Sequence, residues 1–344
     1  MDRRLIQSVA GSGKTSYLID RLDRERRFLL VTYTINNTEH LKNCIIRKFG
    51  YLPNNITVYT YFEFLLAVCY RPFLADTIGA KGIDWKMPDP ATLRFKRSNR
   101  AFYINPKGCL YHNRIALLCE PNAEKIARRI EKYYDCLYYD EAQDLGGHDF
   151  NLFLRIIQCN IEVLVVGDFF QHTFFTSQDG NTNSGLYDNL EKYLHLWNKA
   201  RMQIDTDSLK KSHRCSPSIT EFVRNNIGVN IFSHESKGGQ VSFITEQNDV
   251  DAIVTDGSTP KLFLSDAKKY RCNSINWGDS KGLDDFVDVC IVLNQRTLQL
   301  YNKGRLNELA PLTKNKFYVA CTRARRNIYF VPYTSLEKYK ILDI

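Results

Sequence analysis

Residues 10–15 read Ala10-Gly11-Ser12-Gly13-Lys14-Thr15, and no other stretch limits the possible folds as strongly. Leu5, Ile6 and Val9 form a short apolar run before it. Leu18, Ile19 and Leu22 follow at roughly helical spacing. The pattern predicts a strand, a glycine-rich turn and a helix, in that order. Small residues in such a turn let backbone N–H groups approach a polyphosphate, and the following helix adds positive potential at its N-terminus. Lys14 then suits the β- and γ-phosphates, and the Thr15 hydroxyl suits Mg2+. The full pattern has glycine where this chain has Ser8, which is small enough to turn at some cost in backbone freedom. The competing reading is a glycine-rich turn with a stray lysine.

At 344 residues the chain is long enough for two domains, each with its own core. Hydrophobic residues make up 44% and charged residues 25%, which is the balance of an ordinary globular protein. The formal net charge of +9 points to an anionic partner without identifying it. No apolar segment is long enough to span a bilayer, so no membrane partner is expected. The N-terminus runs straight into the first predicted strand, and no signal peptide is read there. None of the ten cysteines forms a C-x-x-C pair, which argues against a zinc ribbon. Cys136 and Cys290 lie in apolar runs, so buried reduced thiols and a cytoplasmic location are expected.

Residues 28–33 (Phe-Leu-Leu-Val-Thr-Tyr) predict a second buried strand, with Thr32, Tyr33, Thr34, Asn36 and Asn37 clustered at its end. Loops after strand C-termini face ligands in open α/β sheets, although a plain polar turn has the same composition. Residues 56–66 predict a strand and then a helix start. Residues 91–119 contain no acid, but carry Arg94, Lys96, Arg97, Arg100, Lys107 and Arg114 among Phe95, Phe102, Tyr103 and Tyr111. Cations for phosphates and ring faces for bases suit a single-strand platform. A solvated basic surface whose aromatics turn into the core fits equally well.

Residues 136–144 end an apolar run in Asp140-Glu141-Ala142-Gln143-Asp144. Asp140 at a strand tip suits Mg2+, and Glu141 suits the proton of an attacking water. Residues 161–171 repeat the design, with a buried strand, a Gly167-Asp168 turn and Gln171, an amide able to sense a γ-phosphate. Phe169, Phe170, Phe174 and Phe175 crowd that loop and need a core or a stacking partner. Further strands are expected near 240–244, 261–264, 287–293 and 328–331. A helix over 314–326 is expected to carry Thr322, Arg323, Arg325 and Arg326.

Taken in order, these residues resemble the motif series of superfamily-one DNA helicases of the UvrD/Rep/PcrA type, over nearly the whole chain. Residues 10–15 resemble Walker A, and residues 32–37 the next motif. Thr60-Tyr61-Phe62-Glu63-Phe64-Leu65 is similar to Thr-Phe-His-Ser-Phe-Leu, and Asp140-Glu141-Ala142-Gln143-Asp144 matches without change. Gly167-Asp168-x-x-Gln171 resembles motif III, and residues 209–216 resemble Leu-x-x-Asn-Tyr-Arg-Ser. Residues 280–283 resemble motif V, and residues 318–325 the final motif. The resemblance implies an α/β fold of two RecA-like P-loop lobes with parallel sheets, the first over 1–200 with a small insertion at about 71–132, the second over 201–344.

The resemblance also implies ATP and Mg2+ as cofactors and single-stranded DNA as partner, with 3′→5′ translocation. Ala10, Gly11, Ser12, Gly13, Lys14, Thr15, Ser16, His213 and Gly282 would contact the nucleotide, His213 standing where an adenine-stacking Tyr is common. Thr15 and Asp140 would hold the metal. Glu141, Lys14, Arg214, Arg323 and Gln171 would carry catalysis, the two arginines as fingers. Thr32, Tyr33, Asn36, Thr60 and Phe174 would contact DNA. Thr176 stands where motif III usually has Trp. About sixty residues separate Arg214 from the motif V region, where larger relatives insert an accessory subdomain. That economy leaves two alternatives open. One is an ATP-driven accessory subunit of a nuclease or DNA-defence complex without independent unwinding. The other is a small-molecule P-loop kinase, which leaves Arg323 unexplained. A nuclease partner or self-association is expected for duplex unwinding.

Overall fold

The apolar runs become the strands of separate sheets. The computed structural model describes residues 1–174, 179–236 and 238–341, and the chain divides into two units. One comprises Met1–Ile6, Thr15–Gly167 and Phe175–Asp205 in their described residues. The other comprises Gln7–Lys14, Asp168–Phe174 and Thr206–Ile344, likewise.

The strands of the first unit are β1 (Arg3–Gln7), β2 (Phe28–Thr32), β3 (Ile56–Thr60), β4 (Gly82–Asp84), β5 (Cys109–Tyr111), β6 (Cys136–Tyr139), β7 (Glu162–Gly167) and β8 (Gln203–Asp205). Six of them form one sheet in the order β3-β2-β6-β7-β1-β8. The pairs β2–β3, β2–β6, β6–β7 and β1–β8 are parallel. Every residue of β2 and β6 is buried, which is why both read as unbroken apolar runs rather than alternating ones. The helix Ile35–Phe49 starts at Thr34, whose hydroxyl accepts from Asn37 N–H, and stops at Gly50 with φ +85°. Behind the sheet residues, Trp197 packs edge-on against Phe150 and closes the core. Within the expected insertion, β4 and β5 form a separate parallel pair.

The second unit contains β9 (Lys211–Ser212), β10 (Phe232–Ser233), β11 (Val241–Phe243), β12 (Lys261–Phe263), β13 (Ser274–Asn276), β14 (Asp288–Leu293) and β15 (Asn327–Pro332). Its five-stranded sheet runs β11-β15-β14-β12-β13, with every pairing parallel. Val9, Ala10, Trp277, Phe317 and Phe330 belong to its core.

One expectation needs correction. The final helix is Pro311–Cys321 and ends before Thr322, Arg323, Arg325 and Arg326. Its last carbonyls take the Thr322 and Arg323 backbone N–H groups, at Tyr318 O (3.0 Å) and Ala320 O (3.3 Å), and two side chains add to them. The Thr322 hydroxyl donates to Tyr318 O at 2.9 Å, and the Arg323 guanidinium donates to Val319 O at 3.4 Å. For residues 91–119, left open between two readings, three of the four aromatics turn into the core. Phe102, Tyr103 and Tyr111 are buried, as is Arg114, whose guanidinium donates to Phe102 O and pairs with Asp179 at 3.2 Å. Composition does not reveal which way a ring faces. All ten cysteines are free thiols.

Candidate active site

In the first unit, β6 delivers Asp140 and Glu141 at its C-terminal end. Asp140 is buried. Its Oδ2 accepts from the Thr15 hydroxyl at 3.1 Å and its Oδ1 from Glu141 N–H at 2.9 Å. A hydroxyl and a carboxylate are hard oxygen donors, and together they suit Mg2+ whose remaining ligands are phosphate oxygens and water. No group of three His, Cys, Asp or Glu among the described residues is arranged to hold a metal. Glu141 has φ +61°, the left-handed region that a residue with a side chain occupies only under local constraint. Gln143 Nε2 donates to Glu141 Oε2. The end of β7 crowds this turn, since a Cβ on Gly167 would lie 2.9 Å from Gln143 Oε1 and 3.0 Å from Ala142 Cβ. Tyr187 ties the turn down by donating to Leu145 O at 2.6 Å.

In the second unit, the glycine-rich loop runs beside residues 209–214. Val9 N–H donates to Leu209 O at 3.1 Å, and His213 N–H donates to Gly11 O at 2.8 Å. Gly11 has φ +68°, and a Cβ there would meet Arg214 Cβ at 2.7 Å and Ser212 Oγ at 2.9 Å. Only glycine fits that conformation and that gap. Ala10 N–H donates to the Tyr318 hydroxyl at 2.9 Å, which itself donates to Asp168 Oδ2 at 2.9 Å. Gln171 Nε2 donates to the same oxygen at 2.8 Å. Burial raises the Asp168 carboxyl above its ordinary range, while the Lys14 charge and the hydrogen bonds from Gln171 and Tyr318 oppose that rise.

Arg214 and Arg323 share one carboxylate. Arg214 Nη2 lies 2.6 Å from Asp284 Oδ2, and Arg323 Nη1 lies 2.9 Å from Asp284 Oδ1. Burial, and then the neighbouring Arg214 charge, lower Arg323 to about 10. Gly282, at φ +85°, makes the turn that leads to Asp284. His213 stacks on His234 with centroids 3.8 Å apart and planes 9° apart. Burial and the neighbouring His213 and Lys211 lower His234 below the usual imidazole range.

The other expected residues are placed as follows. Ser12 is buried and its hydroxyl has no hydrogen-bond partner among the described residues, while Ser16 is exposed on the helix Lys14–Asp20. Thr32 is wholly buried, and Tyr33 stacks on Tyr61 at 6.1 Å. Asn36 is exposed in the first turn of its helix. Thr60 closes a capping box with Glu63. Phe174 is exposed, with the Lys281 ammonium 5.6 Å from its ring centroid. Phe175 and Thr176 lie outside the described residues. Sequence reasoning assigned no role to Tyr318, Asp168 or Asp284. Their only signal was position: a lone Tyr four residues before Thr322, and acids directly after the Gly167 and Gly282-Leu283 turns.

No family model and no curated protein matches the chain. Among solved structures, the complex of arterivirus nonstructural protein 10 (helicase) with DNA is similar at 13% identity and a TM-score of 0.52, covering 98% of this chain and 63% of that one. The PRRSV helicase is similar at 15% identity and a TM-score of 0.46, covering 99% of this chain and 54% of that one. The chain thus spans less than two thirds of either. The first similarity establishes the fold as α/β with RecA-like lobes.

Proposed function

We propose that this chain is an ATP- and Mg2+-dependent motor of the superfamily-one, UvrD/Rep/PcrA type that translocates 3′→5′ on single-stranded DNA in the cytoplasm. The observation that carries the reading is the pairing of Arg214 and Arg323 through Asp284, with Arg214 packed on the glycine-rich loop at Gly11. Two cations from separate motifs beside a glycine-rich turn are what a finger-assisted hydrolase needs, and a small-molecule kinase leaves Arg323 unexplained. A fold shared with a helicase solved in complex with DNA supports the choice of polymer.

Chemistry in such a site is positioning and charge stabilisation. Bound Mg2+ supplies neutralisation of the β- and γ-phosphate oxygens. Thr15 and Asp140 would hold it, and their mutual hydrogen bond brings the two donors together. Backbone N–H groups of residues 11–15 cradle the phosphates, and Lys14 screens them. Ser16, Gly282 and His213 complete the nucleotide contacts, with His213 under the base. Glu141 receives the proton of the attacking water, oriented by Gln143. Arg214 and Arg323 leave Asp284 for the γ-phosphoryl as charge develops there. Asp168, tied to both Gln171 and Tyr318, links the phosphate end to residues 168–174, where Phe174 meets the strand. Thr32, Tyr33, Asn36 and Thr60 belong to the same DNA track, Thr32 from a buried position that shapes the strand end.

The test is Glu141→Gln. It retains binding of a fluorescent ATP analogue and loses turnover, because the base is removed and the cradle is untouched. Near-normal hydrolysis by this variant would sink the assignment.

A further inference from the structure

Residues 81–107 carry seven cations and two carboxylates. Both carboxylates are engaged locally: Asp84 accepts from Lys86 N–H and Asn105 Nδ2, and Asp89 accepts from Ala91 N–H. Phe102, Tyr103 and Tyr111 are turned inward, so they offer no ring to a ligand. A different set of rings does. Trp85 follows β4 directly and His112 follows β5 directly. The parallel register pairs Asp84 with Tyr111, which puts Trp85 and His112 level with each other. Their rings lie 5.7 Å apart at 29°. The register is pinned by His112 Nδ1, which donates to Asp84 O at 3.2 Å. Trp85 also meets Phe62, from the helix Tyr61–Phe64 that follows β3, at 4.6 Å. Three rings from three separate segments therefore converge.

Trp85 nevertheless remains 64% exposed, while Trp197 and Trp277 are each 0% exposed. Met87 and Phe95 are exposed beside it in sequence, and Lys86, Arg94, Lys96, Arg97 and Arg100 are exposed as well. A large aromatic in contact with two other rings, with most of its surface in water and a segment rich in exposed cations following it in the chain, suits something flat and anionic. Bases have faces and their phosphates have charge, and an extended single strand presents both at once.

We propose that Trp85, backed by Phe62 and His112, is a base-stacking site for single-stranded nucleic acid, with the cations of residues 86–100 contacting its phosphates. The site lies wholly in the first unit and uses none of the residues given above to nucleotide or DNA contacts. It rests on the nucleic-acid part of the proposed function and is indifferent to ATP chemistry. Glu63, next to Phe62, does not oppose the strand's charge freely, because its carboxylate accepts from Thr60 N–H in the capping box.

The test is equilibrium binding of labelled oligo(dT) and of an abasic oligomer of equal length to the full chain, its Trp85→Ala variant and its Trp85→Phe variant. Trp85→Ala is expected to weaken oligo(dT) binding roughly tenfold or more, as loss of one stacked base does. It should leave abasic binding unchanged, and Trp85→Phe should recover most of the loss. A second measurement needs no variant. Only Trp85 is open to acrylamide, so the quenchable tryptophan emission belongs to it, and saturating oligo(dT) should quench or shield that emission. Equal oligo(dT) affinity in all three proteins, with Trp85 still quenchable when oligo(dT) is bound, overturns the site while leaving the wider reading standing. No binding of either oligomer by the unaltered chain overturns that wider reading as well. A Trp85→Ala chain that binds oligo(dT) normally but loses self-association in sedimentation makes the patch a contact between copies, and also overturns the proposal.

Discussion

Replacing Tyr318 with Phe deletes one oxygen atom and breaks a relay. The Tyr318 hydroxyl is fully buried, takes the Ala10 N–H at 2.9 Å and donates to Asp168 Oδ2 at 2.9 Å. The phenyl ring remains packed near Phe170, with centroids 5.9 Å apart, so the hydrophobic contribution is kept. What is lost is one hydrogen bond to a carboxylate and the partner of one buried amide, together about 3–5 kcal/mol. In urea that corresponds to a midpoint lower by at least about 1 M for the unit concerned. Trp277 is the only one of the three tryptophans in the second unit, so 5-fluorotryptophan labelling isolates its transition by 19F NMR.

The loss also carries a pH signature. Burial raises the Asp168 carboxyl, so the folded chain binds that proton more tightly than the unfolded chain does. Its contribution favours the fold below the ordinary carboxylate range and is lost as pH rises through the folded value. The Tyr318 hydroxyl opposes the rise, and its deletion raises the carboxyl further. The cost of Tyr318→Phe should therefore be largest above the raised folded value and shrink as pH falls through it, where the buried Asp168 takes up its proton. A midpoint change equivalent to less than about 1 kcal/mol, or one that does not vary with pH, would refute the relay as a stabilising element.

Three further outcomes are expected. Gly11→Ala forces a Cβ to 2.7 Å from Arg214 Cβ at φ +68°, so it should abolish binding of a fluorescent ATP analogue, whereas Gly50→Ala, with open space around it, should not. Arg214→Ala and Arg323→Ala should each lower ATP hydrolysis on the order of 10³-fold with a much smaller change in ATP affinity, measured by steady-state turnover and equilibrium titration. On a 3′-tailed duplex series of increasing length, the purified chain alone should unwind short duplexes and fail on long ones. It carries no large second-lobe insertion to grip the duplex, and each base-pair step opposes opening by about 1.4 kcal/mol. Efficient unwinding of the longest duplex by a demonstrated monomer would contradict this.

The parts of the site that were legible in the sequence are those where chemistry demands a residue type at a fixed spacing. Lys14 and Thr15 after two glycines, and Asp140 and Glu141 at the end of an apolar strand, are of this kind, and Thr15 does meet Asp140. The strands were legible because buried parallel strands are continuous apolar runs. What could not be read were contacts across long sequence separations. Nothing in the spacing of Asp284 says that its carboxylate sits between Arg214 and Arg323, 70 and 39 positions away. Tyr318 lies 150 positions from Asp168 and 308 from Ala10. Ring orientation was equally hidden. Phe102 and Trp85 lie in the same stretch of about 71–132, yet one is buried under Arg114 and the other faces water.

The most direct test of the proposed motor is the rate of ATP hydrolysis by the full chain with no polymer, with single-stranded DNA and with single-stranded RNA, in excess Mg2+. The account predicts slow hydrolysis alone and strong stimulation by single-stranded DNA, rising with strand length as a translocating motor spends longer bound, and absent in Glu141→Gln. A rate indifferent to every polymer, or no hydrolysis under any condition, would contradict it.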